Sequence, residues 1–197
     1  MKTKTINVYD INELSEKARE YAYNRWLSHG DYPWAEDNIA TLKAFEKLFP
    51  IRIAHWSYGG RGEGVSFYMT DDTLSEMAFL RLAKYIHNNY GDKLFKPKFI
   101  YAKGIGLGVN TKTKYSAIEK DNCCVLTGYC IDDDILRPIY EFLDTPDHRT
   151  FNELIKDCFE SWVIACEQDM GHYYSMDNFV EESQANELEY NEQGRLL

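Results

Sequence analysis

Proline is scarce in this chain of 197 residues, with 5 in all, and no segment is rich in Gly, Ser or Pro. That scarcity excludes collagen-like repeats, flexible linkers and low-complexity tracts, and a single folded domain is expected. No run approaches the ~18 apolar residues that a membrane helix needs. The first residues, Met1-Lys2-Thr3-Lys4-Thr5, lack the apolar core of a secretion signal. No membrane partner and a cytoplasmic location are therefore expected. The 5 cysteines, at 123, 124, 130, 158 and 166, are odd in number and contain no Cys-x-x-Cys pair. Neither a disulfide framework nor a thiolate metal centre has that arithmetic, so reduced and mostly buried thiols are expected.

The motifs of common enzyme classes are missing as well. Among the 5 histidines, at 29, 55, 87, 148 and 172, none lies three or four residues from another, so no helical metal pair forms. Gly-x-Ser-x-Gly is absent. The cluster Gly59-Gly60-Arg61-Gly62-Glu63-Gly64 lacks the Gly-Lys-Ser/Thr of a phosphate loop and leads into a strand, so it reads as a hairpin bend. No catalytic residue, metal or cofactor is assigned.

Basic residues are nearly lacking from the last third. Residues 131–197 carry 4 basic and 17 acidic side chains, whereas residues 1–130 carry 18 and 15, and the whole chain stands at −10. Such a field disfavours nucleic acid and anionic lipid and favours a basic partner or plain solubility.

Aromatics, by contrast, are abundant: 15 Tyr, 10 Phe and 4 Trp. Apolar residues spaced three and four apart predict a helix from Asn12 to His29-Gly30 and a second from Pro33 to Pro50. Ile51–Trp56 and Val65–Met69 read as a hairpin, and Thr3–Val8 as a short strand. A third helix runs from a Thr70-Asp71-Asp72 cap to Gly91. Phe99–Tyr101, Gly106–Val109, Lys114–Ile118 and Cys123–Cys130 are further strand candidates. Asp132-Asp133-Asp134 opens another helix, where acids suit the dipole. The strongest helical pattern follows from Phe151 to Cys166, and a short helix spans Ser175–Ala185. The fold class is therefore α+β: a small antiparallel curved sheet with helices packed on one face. Residues 1–130 form its mixed part and residues 131–197 its acidic helical part.

Three segments resemble a group of uncharacterised phage and prophage proteins: Glu13-Leu14-Ser15-Glu16-Lys17-Ala18-Arg19, Gly62-Glu63-Gly64-Val65-Ser66-Phe67 and Asn186-Glu187-Leu188-Glu189-Tyr190-Asn191-Glu192-Gln193-Gly194. The resemblance covers most of the chain. It implies an accessory protein of the bacterial host cytoplasm, of a kind sometimes labelled antitoxin-like, and carries no catalytic residues. Together with the charge asymmetry it points to a non-enzymatic inhibitor of a host or toxin protein, such as a defence nuclease, through an acidic surface that partly mimics nucleic acid. The expected contacts are Asp132, Asp133, Asp134, Glu141, Asp144, Glu181 and Glu182, with exposed Tyr173 and Tyr174 as anchors. The alternative is single-stranded nucleic-acid binding by Lys96, Lys98, Tyr101, Lys112, Lys114 and Tyr115, where lysines interleave with aromatics. The aromatic surface is also compatible with a homodimer.

Overall fold

The computed structural model describes residues 7–60, 64–95, 99–103, 110–114 and 123–197. The elements are α1 (Glu16–Leu27), α2 (Ala35–Leu48), β1 (Ile51–Ser57), β2 (Gly64–Met69), α3 (Asp72–Ser75), α4 (Phe79–Leu94), β3 (Phe99–Lys103), β4 (Asn110–Lys114), α5 (Ile131–Asp144), α6 (Phe151–Tyr173) and α7 (Met176–Ala185). Helices before and after antiparallel hairpins make the fold α+β, as the periodicities predict. No helix among the described residues is long and apolar enough to cross a membrane.

Contacts divide the chain into two compact units, and the division does not follow the charge boundary at residue 130. One unit joins the start of the chain, as far as Pro33, to Glu167–Leu197; the other is Trp34–Cys166. Each has its own core.

In the unit Trp34–Cys166, β1 and β2 pair antiparallel from Ile51↔Met69 to Ser57↔Gly64, with a register shift between Ile53 and His55. The shift reverses the side-chain phase along β1, because one extra residue swaps the faces of every residue beyond it. Ile51 and Ile53 face the core, His55 is exposed, and Trp56 packs inward. Val65, Phe67 and Met69 supply the same face from β2. That face meets α6: Phe67 lies 5.0 Å from Phe159, and Trp56 and Tyr58 lie 6.2 and 5.3 Å from Trp162, ring centre to ring centre. Cys158 and Cys166, eight residues apart on α6, are fully buried as expected. Thr150 and Glu153 form a reciprocal cap at the helix start, with the Thr150 amide donating to Glu153 Oε2 at 2.8 Å and the Glu153 amide to Thr150 Oγ1 at 3.3 Å.

Two expectations in this unit are corrected. The third helix is broken into α3 and α4: Asp71 caps α3, Phe79 takes a positive φ of 56° at the start of α4, and Gly91 sits inside α4 rather than closing it. Residues 123–130 form turns instead of a strand, because their amides turn inward onto aspartate side chains. Of the other strand candidates, 99–101 is realised as the start of β3; 106–109, 115–118 and the first residues, 3–6, lie outside the described residues.

In the other unit, Ile11, Leu14, Ala18 and Ala22 pack with Phe179 and Tyr190. Ser15, not Asn12, caps α1, accepting from the Ala18 amide at 3.3 Å. Tyr9 and Tyr190 exchange both backbone hydrogen bonds at 2.9 Å, tying the two chain ends together. Gly194, at φ +79°, lies against α1 so closely that a Cβ there would stand 2.0 Å from the Ala18 carbonyl oxygen. No other residue fits that position.

Candidate functional site

The three consecutive aspartates at the start of α5 have three different fates. Asp132 is fully buried. Its Oδ1 accepts from the Thr41 hydroxyl at 2.7 Å and the Thr127 hydroxyl at 2.8 Å. Its Oδ2 accepts from the amides of Leu126, Thr127 and Gly128 at 2.9, 2.6 and 3.0 Å. Five donors and the amino-terminal end of a helix offset the cost of burying a carboxylate. Asp132 is thus a structural post and not a partner contact, which corrects the expectation from sequence. Asp133, half-buried, accepts the Cys124 amide on Oδ1 at 2.7 Å. Asp134 is paired with Arg137 one helical turn on.

Most other acids of residues 131–166 are likewise occupied within the fold. Arg149 bridges Asp147 and Asp157 at 2.9 and 2.8 Å, and Lys156 pairs with Glu160 at 3.5 Å. The Arg149 guanidinium, by hydrogen bonding, holds the Asp147 carboxyl below its ordinary value, and the Thr150 amide and hydroxyl do the same for Glu153. Glu141 and Asp144 lie exposed towards the end of α5.

The acids of residues 167–197 are arranged differently. That segment holds eight acidic side chains and one basic, Arg195. Ser175 caps α7 by accepting from the Asn178 amide at 3.1 Å, which fixes Phe179 and Ser183 inward and leaves Asp177 and Glu181 exposed four residues apart. Glu187, Glu189 and Glu192 are exposed beyond it, while Glu182 is half-buried. Among the described residues, none of Asp177, Glu181, Glu187, Glu189 and Glu192 is in an ion pair. Like charges four apart on a helix cost roughly 0.2–0.5 kcal/mol rather than stabilise it.

Tyr173 and Tyr174 are not the exposed anchors expected from sequence. Both are half-buried, 5.0 Å apart ring to ring, and packed with Trp26 and Tyr32. Their hydroxyls donate to the Asp31 and Gly30 carbonyls at 3.4 and 3.2 Å, and Tyr23 donates to the Tyr174 carbonyl at 2.5 Å. Burial, with Glu182 nearby, raises the Tyr173 hydroxyl above its ordinary value. An amphipathic ring places its apolar body in the core and keeps the polar end bonded, which is why tyrosine count alone does not mark a surface. Beside this cluster lies a cavity of about 500 Å³, lined by Trp26, Phe179, Leu188 and Leu196, with Arg25 and His29 at its polar side.

Of the residues of the nucleic-acid alternative, Lys96, Lys98 and Tyr115 lie outside the described residues. Tyr101, Lys112 and Lys114 fall on the β3–β4 hairpin, where Tyr101 pairs with Lys112 and Phe99 with Lys114.

One grouping was not expected from the spacing. The Cys123 and Cys124 thiols are 3.3 Å apart, and both gather with the Asp133 carboxylate so that one donor atom of each lies within 4.8 Å of the others. The hydrogen bond between the two thiols, with burial and the neighbouring Asp133, pushes Cys124 up to about 12. Spacing rules look for thiols three apart, whereas here a turn folds an adjacent pair onto the start of a helix.

Comparison of the chain with protein-family models, with curated proteins and with solved structures finds no match.

Proposed function

We propose that this chain is a non-enzymatic binding protein that inhibits a host or toxin protein, and that its acidic segment 167–197 meets a basic surface on that partner. One observation carries the reading: among the described residues, the exposed carboxylates Asp177, Glu181, Glu187, Glu189 and Glu192 make no ion pair, while those of residues 131–166 are largely consumed inside the fold. Charges arranged at a small cost to the helix gain their favourable energy only when a cation arrives. The phage resemblance supplies the class of partner, and a nuclease with a basic channel fits the carboxylates in place of phosphates. The contact set becomes Asp177, Glu181 and Glu182 on α7 with the three glutamates beyond it; Glu141 and Asp144 are secondary, and Asp132 is removed.

The test is capture from bacterial lysate with the tagged full chain, washed at low and high salt. A basic protein released by salt, and lost with a variant carrying Asp177→Asn, Glu181→Gln, Glu187→Gln and Glu189→Gln, is the expected result, since steering between exposed charges weakens as salt rises. Binding that is flat in salt and indifferent to those changes overturns the reading.

A second reading rests on the β3–β4 register. Aromatic residues stand opposite lysines at Tyr101↔Lys112 and Phe99↔Lys114, an arrangement used by single-strand platforms. Retention of a labelled oligonucleotide at low salt, reduced by Tyr101→Ala, supports it; no retention removes it.

A further inference from the structure

The turn that precedes α5 is built to present two adjacent thiols, and nothing in the acidic-surface reading uses it. Its backbone is held from both sides of the helix start. Asp132 takes the amides of Leu126, Thr127 and Gly128, and Asp133 takes that of Cys124 at 2.7 Å. Two of its residues adopt positive φ, Gly128 at 96° and Cys124 at 51°. Glycine does so freely, but a cysteine does so at a cost. A strained non-glycine residue persists only where its surroundings over-determine it, and such residues cluster at ligand sites.

The consequence is a convergence of donors. One Sγ of Cys123, one of Cys124 and one carboxylate oxygen of Asp133 lie within 4.8 Å of one another. The hydrogen bond from the Cys124 amide to Asp133 Oδ1 holds that carboxylate beside the two thiols. We propose that Cys123, Cys124 and Asp133 form a binding site for a thiophilic divalent cation of the Zn²⁺ class. Two thiolates and a carboxylate are a donor set that zinc accepts, and soft sulfur ligands select against Mg²⁺ and Ca²⁺.

The geometry needs little adjustment. Zinc–sulfur bonds of about 2.3 Å at a tetrahedral angle set the sulfurs about 3.8 Å apart, against 3.3 Å here. Rotation of the exposed Cys123 side chain supplies the difference. The Asp133–Cys124 hydrogen bond holds the carboxylate in place, the kind of supporting contact that metal sites use to orient ligands. A bound cation replaces the thiol protons and neutralises the crowding of thiolates beside the aspartate.

The test uses the full chain with a non-thiol reductant and Co²⁺ as a spectroscopic probe, followed by competition with Zn²⁺. One equivalent of Co²⁺ producing a thiolate charge-transfer band, displaced by Zn²⁺ and not by Mg²⁺, is the expected result. Cys123→Ser and Cys124→Ser each abolish the band, Asp133→Asn, which removes the anionic ligand oxygen, weakens binding, and Cys158→Ser, a buried core position, leaves it unchanged. Circular dichroism of Cys123→Ser, an exposed site, confirms that loss of the band is not loss of fold. A protein that gives no charge-transfer band, or one whose band survives both Cys123→Ser and Cys124→Ser, has no such site.

Discussion

The hydroxyl of Thr41 on α2 donates to Asp132 Oδ1 at 2.7 Å, joining two positions 91 residues apart in the chain inside the core of one unit. Through that carboxylate α2 is connected to the turn at 126–128 and to the start of α5, so a single acidic residue organises three separate segments.

Replacing Asp132 by Leu, similar in size, is expected to destabilise this unit strongly, because two hydroxyls and three amides lose their acceptor and each buried unsatisfied group costs about 1–3 kcal/mol. Asp132→Asn is expected to be milder. Its carbonyl can keep the three amides, and both threonine hydroxyls can rotate to accept from the new amide. Urea denaturation orders the variants: wild type, then Asn, then Leu. Equal losses for Asn and Leu would show that the charge itself, rather than the hydrogen bonds, holds the site.

Pro138 lies inside α5, where its missing N–H leaves the carbonyl of Asp134 without its helical partner. The Ser161 hydroxyl of α6 donates to that carbonyl at 2.7 Å. Ser161→Ala is expected to cost about 1–3 kcal/mol. In a Pro138→Ala background the cost shrinks, because the new amide serves the same carbonyl. A double-mutant cycle by chemical denaturation measures the coupling, and additive effects would sever the link between the proline and the serine.

Gly194→Ala is expected to cost about 2 kcal/mol or more, since its backbone stands at φ +79° and the added carbon would meet the Ala18 carbonyl at 2.0 Å. The damage falls on one unit. Hydrogen exchange should quicken in α1 and around Tyr190, whose hydroxyl shares a 2.9 Å hydrogen bond with Ser183. Unchanged protection there would mean that the carboxy-terminal segment is not held against α1.

Asp147 and Glu153 both have carboxyls held below their ordinary values of 3.8 and 4.5, by Arg149 and by Thr150 respectively. A depressed folded value means that the stability each contributes is complete above its ordinary value and is lost as the pH falls through the folded one. Stability is therefore expected to be flat in this respect at neutral pH and to decline below about pH 4. Asp147→Asn should remove part of that slope, while Arg149 keeps its ion pair with Asp157. Denaturation midpoints between pH 2 and pH 6 read the difference.

Local pattern determined a good deal of this protein. The three-and-four spacing from Phe151 to Cys166 marked α6 and its buried cysteines, Ser175 marked the cap of α7, and two strand-like runs around a glycine-rich bend marked the β1–β2 hairpin, since periodicity and capping are satisfied within a few residues. The charge asymmetry was legible too, because it is a count. What each charge does was not. Asp132, Asp133 and Asp134 are chemically alike and adjacent, yet one is buried under five donors, one orients a cysteine and one pairs with an arginine. Only the tertiary structure decided among them, because a carboxylate's surroundings are set by segments far away in the chain, here Thr41. The same holds for Tyr173 and Tyr174, drawn into an aromatic cluster by Trp26 and Tyr32. It holds again for the thiols at 123 and 124, which became neighbours of Asp133 when a turn replaced the expected strand. Side-chain identity and the period on which residues repeat are local properties; long-range packing decides which of them lose water, and that loss decides which charges remain at the surface.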